Sequence, residues 1–238
     1  MELEGLRVLV IGMGKTGIES VRFLAGKCRN LLVTDAKPRS EWEGNLREIV
    51  GAPLSYVDYS ADVLSQADLG IPSPGVPPSS PLLLEAVARG IPVLSELELA
   101  FRFLKTPVIA ITGTNGKTTT TTLTGEILRA AHKKVFVGGN IGSPLIGYAG
   151  GRQDADYAVV EVSSFQLQWV KTFRPVVSVL LNITCDHVDY HGSFADYRRA
   201  KERIFENQDG DDLAVLNFDE EAGTGLADRI KARVSCFS

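Results

Sequence analysis

The sequence predicts an α/β protein made of two consecutive doubly wound units, each a parallel sheet with helices packed on its faces. Three observations carry this prediction. Short, β-branched apolar runs alternate with helix-period segments; two of the runs end in glycine-rich turns that open a helix; and the alternation restarts after Lys105-Thr106-Pro107. The expected units are residues 1–105 and 106–238.

In the first unit, residues 7–11 read as a buried parallel strand. Gly12, Gly14 and Gly17 follow, then a helix carrying Ile18, Val21 and Leu24 on one face and stopping at Gly26. Residues 31–34 form a second strand closed by Asp35, and residues 67–71 a weaker one. Five of the eleven prolines fall between positions 72 and 81, which excludes regular structure there. A helix over 81–89 stops at Gly90, with a strand at 92–94 and a helix at 96–104. In the second unit, a strand at 108–111 turns through Gly116 into a helix from Lys117 to about Ala131. Strands at 135–137, 158–162 and 176–181 and a helix at 197–206 complete the pattern.

Composition narrows the function. The chain has 238 residues, 44% of them hydrophobic and 23% charged, which suits a packed protein and excludes a disordered or fibrous one. A net charge of −4 gives no electrostatic reason to expect a nucleic-acid or anionic-membrane partner. Cys28, Cys185 and Cys236 are an odd number without paired spacing, which excludes a disulfide framework and suits a reducing compartment. No apolar run is long enough to span a bilayer, and the first residues lack the basic-then-apolar order of a signal peptide. A cytoplasmic monomer is expected.

Gly12-Met13-Gly14-Lys15-Thr16-Gly17 satisfies G-x-G-x-x-G between a strand and a helix, with Asp35 eighteen residues past the third glycine. Such a loop lets a diphosphate approach a helix N-terminus, where unpaired N–H groups favour an anion. A dinucleotide with Asp35 on its ribose is one reading, although no hydride-transfer residue accompanies it; the unit is in either case Rossmann-like. Thr112-Gly113-Thr114-Asn115-Gly116-Lys117-Thr118 is a second phosphate loop, of the P-loop ATPase type. Its N–H groups can wrap a polyphosphate, Lys117 can reach the outer phosphates, and Thr118 can ligate Mg²⁺. The usual spacing would place glycine at 111, where this chain has Ile, so the loop is a variant.

Later strands end in polar residues, where an α/β sheet forms its ligand crevice. Glu161 closes one strand and is placed to hold Mg²⁺ beside the phosphate loop. Asp186-His187-Val188-Asp189-Tyr190-His191 follows the next; a zinc cluster is the weaker reading, because no further His or Cys completes it. Cys185 has no paired base and reads as a spectator thiol.

Taken in order, the second glycine loop, Gly138-Gly139-Asn140-Ile141-Gly142, Glu161-Val162-Ser163-Ser164-Phe165-Gln166, Asn182 with Asp186-His187, and Arg199-Ala200-Lys201 resemble the Mur ligase family of bacterial peptidoglycan synthesis. The first loop, together with Ser73-Pro74-Gly75-Val76-Pro77, resembles its D-glutamate-adding branch. The resemblance reaches to about residue 220. It implies an ATP-dependent amide ligase that joins D-glutamate to UDP-N-acetylmuramoyl-L-alanine through an acyl phosphate. Sister ligases with another amino acid, or a non-catalytic UDP-sugar-binding fragment, are the alternatives.

The resemblance also implies roles. Lys15 and Thr16 hold the UDP diphosphate; Asp35, Ala36 and Lys37 neighbour the uracil; Ser73, Gly75 and Ser163 add contacts; Asn140 and His187 hold the sugar and its L-alanyl arm. ATP and Mg²⁺ fall to Thr114, Asn115, Gly116, Lys117, Thr118 and Thr119. Glu161 and His187 ligate a second Mg²⁺, and Lys201 matches a lysine that the family carbamylates. Lys117, Glu161, His187 and Lys201 are the implied catalytic set. Tyr190 stands where the family stretch His-Leu-Asp-Arg-His has arginine. The family's third domain, which binds the amino acid, is expected to be absent, and the ATP-binding unit incomplete.

Overall fold

The computed structural model describes residues 1–47, 49, 54–186, 188–219 and 225–238. Strands β1 (Arg7–Ile11), β2 (Asn30–Thr34), β3 (Leu54–Tyr56) and β4 (Leu69–Pro72) form one sheet in the order β3-β2-β1-β4. Every pairing in it is parallel. Side chains alternate across a strand, so Val8 and Val10 enter one core while Leu9 and Ile11 enter another. Both faces are therefore covered, as a parallel sheet requires. Helix α1 (Lys15–Leu24) follows β1, and α2 (Pro81–Ala88) starts at Ser80, whose hydroxyl accepts the Leu83 N–H at 3.4 Å, with proline at the first helical position.

The strand expected at 92–94 is a single parallel bridge between Gly70 and Val93. Pro92 has no N–H to give a ladder, and Ser95 already caps the next helix, so one bridge is all the segment can form. That helix, α3 (Glu96–Phe103), packs against α1 and against α5 (Leu145–Ala149). One apolar core runs through Val21, Leu97, Ala100, Ile146 and Val160, so α3 and its neighbours join the two sheets.

The second sheet contains β5 (Val108–Thr112), β6 (Val135–Gly139), β7 (Tyr157–Glu161), β8 (Val177–Leu180), β9 (Leu213–Asn217) and β10 (Arg233–Phe237). Its order is β10-β9-β8-β5-β7-β6, and all pairs are parallel. Helix α4 (Lys117–Ala130) follows β5; α6 (Ser164–Leu167) and α7 (Val188–His191) are single turns after β7 and β8. The helix expected at 197–206 begins earlier, as α8 (Phe194–Glu202) capped by Ser193, and ends in a tighter turn, Arg203–Phe205. The fold class is thus the one read from the sequence, with β3, β9 and β10 added.

In parallel sheets a crevice opens at the carboxyl ends of strands where the winding reverses. The first sheet reverses between β1 and β4, and the second around β5, between β7 and β8. Each glycine loop lies at one of these points.

Candidate active site

Gly12 to Gly17 turn directly from β1 into α1. A Cβ at Gly17 would lie 1.9 Å from the Gly12 carbonyl oxygen and 2.7 Å from Ser73 Oγ, so only glycine lets the helix start this close to the loop. The loop backbone is fixed from two sides: Ser73 donates its hydroxyl to the Gly12 carbonyl at 2.7 Å, and Asp35 accepts the Met13 N–H at 2.6 Å. The other Asp35 oxygen accepts the Lys37 N–H at 2.8 Å. Its carboxylate shapes the loop as well as lining the space beside it.

That space is a cleft of about 540 Å³ that gathers Lys15, Thr16, Asp35, Ala36, Lys37, Ser73, Gly75 and Asn140. It falls within the size range of small-molecule sites. Trp42 and Tyr59 form an apolar wall that sequence reading did not single out. At its mouth Lys15 Nζ donates to the Gly142 carbonyl at 2.5 Å, so the lysine bridges to the second half of the chain.

The phosphate loop leaves β5 and enters α4 through Gly116, whose φ of 80° is the left-handed conformation that favours glycine. The first N–H groups of α4 lack helical acceptors and attract anions. Asn182, just past β8, braces the loop: its Oδ1 accepts the Asn115 N–H at 2.8 Å and its Nδ2 donates to the Asn115 carbonyl at 3.0 Å. Thr114 is held by the Thr184 N–H at 3.0 Å and by the Tyr197 hydroxyl at 3.0 Å. Lys117 Nζ rests on the Thr114 carbonyl at 2.7 Å.

Glu161 joins the first turn of α4 to Asn140. Its Oε2 accepts the Thr118 hydroxyl at 2.7 Å, and its Oε1 accepts Asn140 Nδ2 at 2.9 Å. Because Asn140 also lines the cleft, a continuous chain of hydrogen bonds runs from α4 to the cleft wall. The Thr118 hydroxyl and the Glu161 carboxylate are oxygen donors of the kind a hard divalent cation takes, and they suit Mg²⁺.

Lys201 is 2% exposed, unusual for a lysine. Its Nζ donates to the Gly113 carbonyl at 2.8 Å and lies 4.7 Å from the centre of the Tyr197 ring. Burial first, and the Lys117 ammonium second, push its pKa down to about 7, against the opposing pull of Asp186 and Glu161.

Other expected residues have different surroundings. Ser163 is the cap of α6: its hydroxyl donates to Gln166 Oε1 at 3.0 Å and accepts the Gln166 N–H at 3.3 Å. Thr119 is exposed on the first turn of α4. His187 lies outside the described residues. Among the described residues, Asp186, Asp189 and His191 form no metal-holding group, and His191 Nε2 sits 2.9 Å from the Ser164 hydroxyl. Cys185 is exposed.

Comparison with known proteins gives this geometry a family. A model of the Mur ligase middle domain matches residues 111–238, and one of the Mur ligase MurD-like N-terminal domain matches residues 6–95. The chain belongs to the Mur ligase family. The UDP-N-acetylmuramoylalanine--D-glutamate ligase of Syntrophus aciditrophicus is 56% identical over 100% of this chain and 53% of its own length. That of Geobacter metallireducens is 50% identical over 98% of this chain and 52% of its own. The chain therefore spans about half the length of the curated relatives it matches. Among solved structures, the UDP-N-acetylmuramate:L-alanyl-gamma-D-glutamyl-meso-diaminopimelate ligase of Neisseria meningitides superposes with a TM-score of 0.60 at 18% identity, covering 98% of this chain and 78% of that one. MurF ligase of Thermotoga maritima in complex with ADP gives a TM-score of 0.51 at 18% identity, covering 99% of this chain and 48% of its own. At these identities the structures share the fold alone.

Proposed function

We propose that this chain supplies the UDP-substrate and ATP sites of a ligase that joins D-glutamate to UDP-N-acetylmuramoyl-L-alanine. Residues 1–105 are then the UDP-substrate unit and 106–238 the ATP unit. One observation carries the reading: the Thr118–Glu161–Asn140 chain of hydrogen bonds links the phosphate loop to the cleft. A phosphoryl donor on one side and a carboxylate acceptor on the other would meet there. The relatives at 56% and 50% identity bear the name of that ligase, which supports the choice of substrates.

In this reading Lys15 and Thr16 take the diphosphate, with Lys15 leaving the Gly142 carbonyl to do so. Asp35, Ala36, Lys37, Ser73 and Gly75 shape the cleft around the nucleotide, and Asn140 faces the sugar end. ATP lies on the loop from Thr114 to Thr118, and Lys117 turns from the Thr114 carbonyl to the outer phosphates. Bound Mg²⁺, held by Thr118 and Glu161, would neutralise phosphate charge. The substrate carboxylate attacks the γ-phosphorus, ADP leaves, and the acyl phosphate is then attacked by the D-glutamate amine with loss of phosphate. Lys117 lowers the repulsion between carboxylate and phosphate in the first step; such charge stabilisation dominates phosphoryl transfer.

Lys201 fits a carbamate. Its neutral amine would add to CO₂, forming an N–C bond and releasing a proton, and the product is an anion facing the loop from a buried position. The test of the overall reading is calorimetry on this chain with UDP-N-acetylmuramoyl-L-alanine and with NADH. Uptake of the first and not the second is expected; tight NADH binding without UDP binding overturns it.

A further inference from the structure

Tyr190 lies in α7, half-buried, and its hydroxyl donates to the Val76 carbonyl at 2.9 Å with the Pro74 carbonyl also in reach at 3.2 Å. Both carbonyls flank Gly75 on the rim of the cleft. The rim is poor in donors, since Pro74, Pro77 and Pro78 have no N–H. Tyr190 brings a side-chain donor to two of its acceptors. The Tyr190 ring is oriented for this by Phe165, its centre 3.9 Å away. Earlier in the same segment, Asn182 and Thr184 hold Asn115 and Thr114 of the phosphate loop. Among the described residues, Asn182 and Thr184 thus grip the phosphate loop, and Tyr190, six positions after Thr184, grips the cleft rim.

We propose that Tyr190 is a positioning residue whose hydroxyl ties the Pro74–Val76 rim to the segment bracing the phosphate loop, so that occupancy of either nucleotide site changes affinity at the other. The coupling rests on the assignment of UDP to the cleft and ATP to the loop; the tie itself does not. A hydrogen bond between neutral groups contributes about 0.5–1.5 kcal/mol, or roughly 2- to 13-fold in an opening equilibrium. A guanidinium can replace it, being a pure donor that also stacks on an aromatic face.

The experiment uses the 238-residue chain and its Tyr190→Phe and Tyr190→Arg variants. Without ligand, hydrogen–deuterium exchange of the Ser73 and Val76 N–H groups, which donate to the Ile11 and Ser73 carbonyls, should be roughly 2- to 13-fold faster in Tyr190→Phe, which keeps the ring against Phe165, and near wild type in Tyr190→Arg. With ligand, UDP affinity is measured by calorimetry with and without a saturating non-hydrolysable ATP analogue and Mg²⁺. The wild-type ratio of the two affinities should differ from one by about fivefold or more. It should collapse toward one in Tyr190→Phe and return in Tyr190→Arg. A wild-type ratio of one, an unchanged ratio in Tyr190→Phe, or equal loss in both variants overturns the coupling. Unchanged exchange in Tyr190→Phe overturns the tie. Failure of the wild type to bind UDP would count against the assigned function, and the ligand-free exchange result would still decide the tie.

Discussion

Glu96 and Glu98 sit two residues apart on α3 and both are buried, yet their acidities move in opposite directions. Burial raises both, and the donors around each decide the outcome. Glu98 accepts the N–H groups of Lys171, Thr172 and Phe173 at 2.8–3.0 Å, the Thr172 hydroxyl at 2.7 Å and Arg102 Nε at 2.7 Å, and its pKa falls. Glu96 has one short donor, the Ile146 N–H at 2.7 Å, and one long one, Gln166 Nε2 at 3.4 Å, and burial carries it from 4.5 to about 7. Between these two values the folded protein keeps a proton that the unfolded chain has released. Stability from this group is therefore full below pH 4.5 and falls as pH rises to about 7. At about 1.4 kcal/mol per unit, the loss is about 3 kcal/mol. Glu96→Gln cannot ionise and lacks this slope, whatever fixed cost its amide adds opposite Gln166. Urea unfolding of both proteins from about pH 4 to about pH 8 should show the difference moving by about 3 kcal/mol in favour of the variant. Parallel curves, with a difference constant to within about 0.5 kcal/mol, would refute the reasoning.

Three further outcomes follow from the site. Gly17→Ala must displace the Gly12 carbonyl or the start of α1, so it should lower stability by about 1–3 kcal/mol and reduce UDP binding, measured by urea unfolding and calorimetry. Lys117→Ala should weaken an ATP analogue by roughly 13- to 160-fold, the range for a charged hydrogen bond, and leave UDP affinity within about twofold; equal loss at both sites would contradict the assignment. Lys201 should give a carbamate carbon signal by NMR after incubation with ¹³C-bicarbonate, and Lys201→Arg should abolish it, because a guanidinium offers no neutral amine.

The features legible in the sequence are those whose cause is local. The G-x-G-x-x-G spacing identifies Gly17 because the clash that requires glycine lies within the same loop, 1.9 Å from Gly12. Gly116 is legible for the same reason, as the left-handed residue opening α4. β3 is only Leu54-Ser55-Tyr56, too short for a period to show, and it becomes a strand by pairing with β2. Asp35 was legible as a carboxylate near the first loop, but its spacing does not say that it accepts the Met13 and Lys37 N–H groups. α3 precedes the boundary drawn at Lys105-Thr106-Pro107, yet Glu96 and Glu98 bond to Ile146 and to residues 171–173. No local pattern in Glu96-Leu97-Glu98 shows those partners.

The site divides in the same way. Each loop could be named from its own residues, whereas the bonds around the loops join residues far apart in the chain: Asn140 to Glu161, Asn182 to Asn115, and Tyr190 to Val76 across 114 positions. A change of side chain at such a crossing leaves both local motifs intact, which is why the Tyr190 substitution reads in the sequence as a mere departure from the family stretch. The Tyr190 hydroxyl joins the cleft rim to the segment beside the loop after β5, so exchange at the rim and affinity at one proposed site with the other occupied are the two measurements that register it.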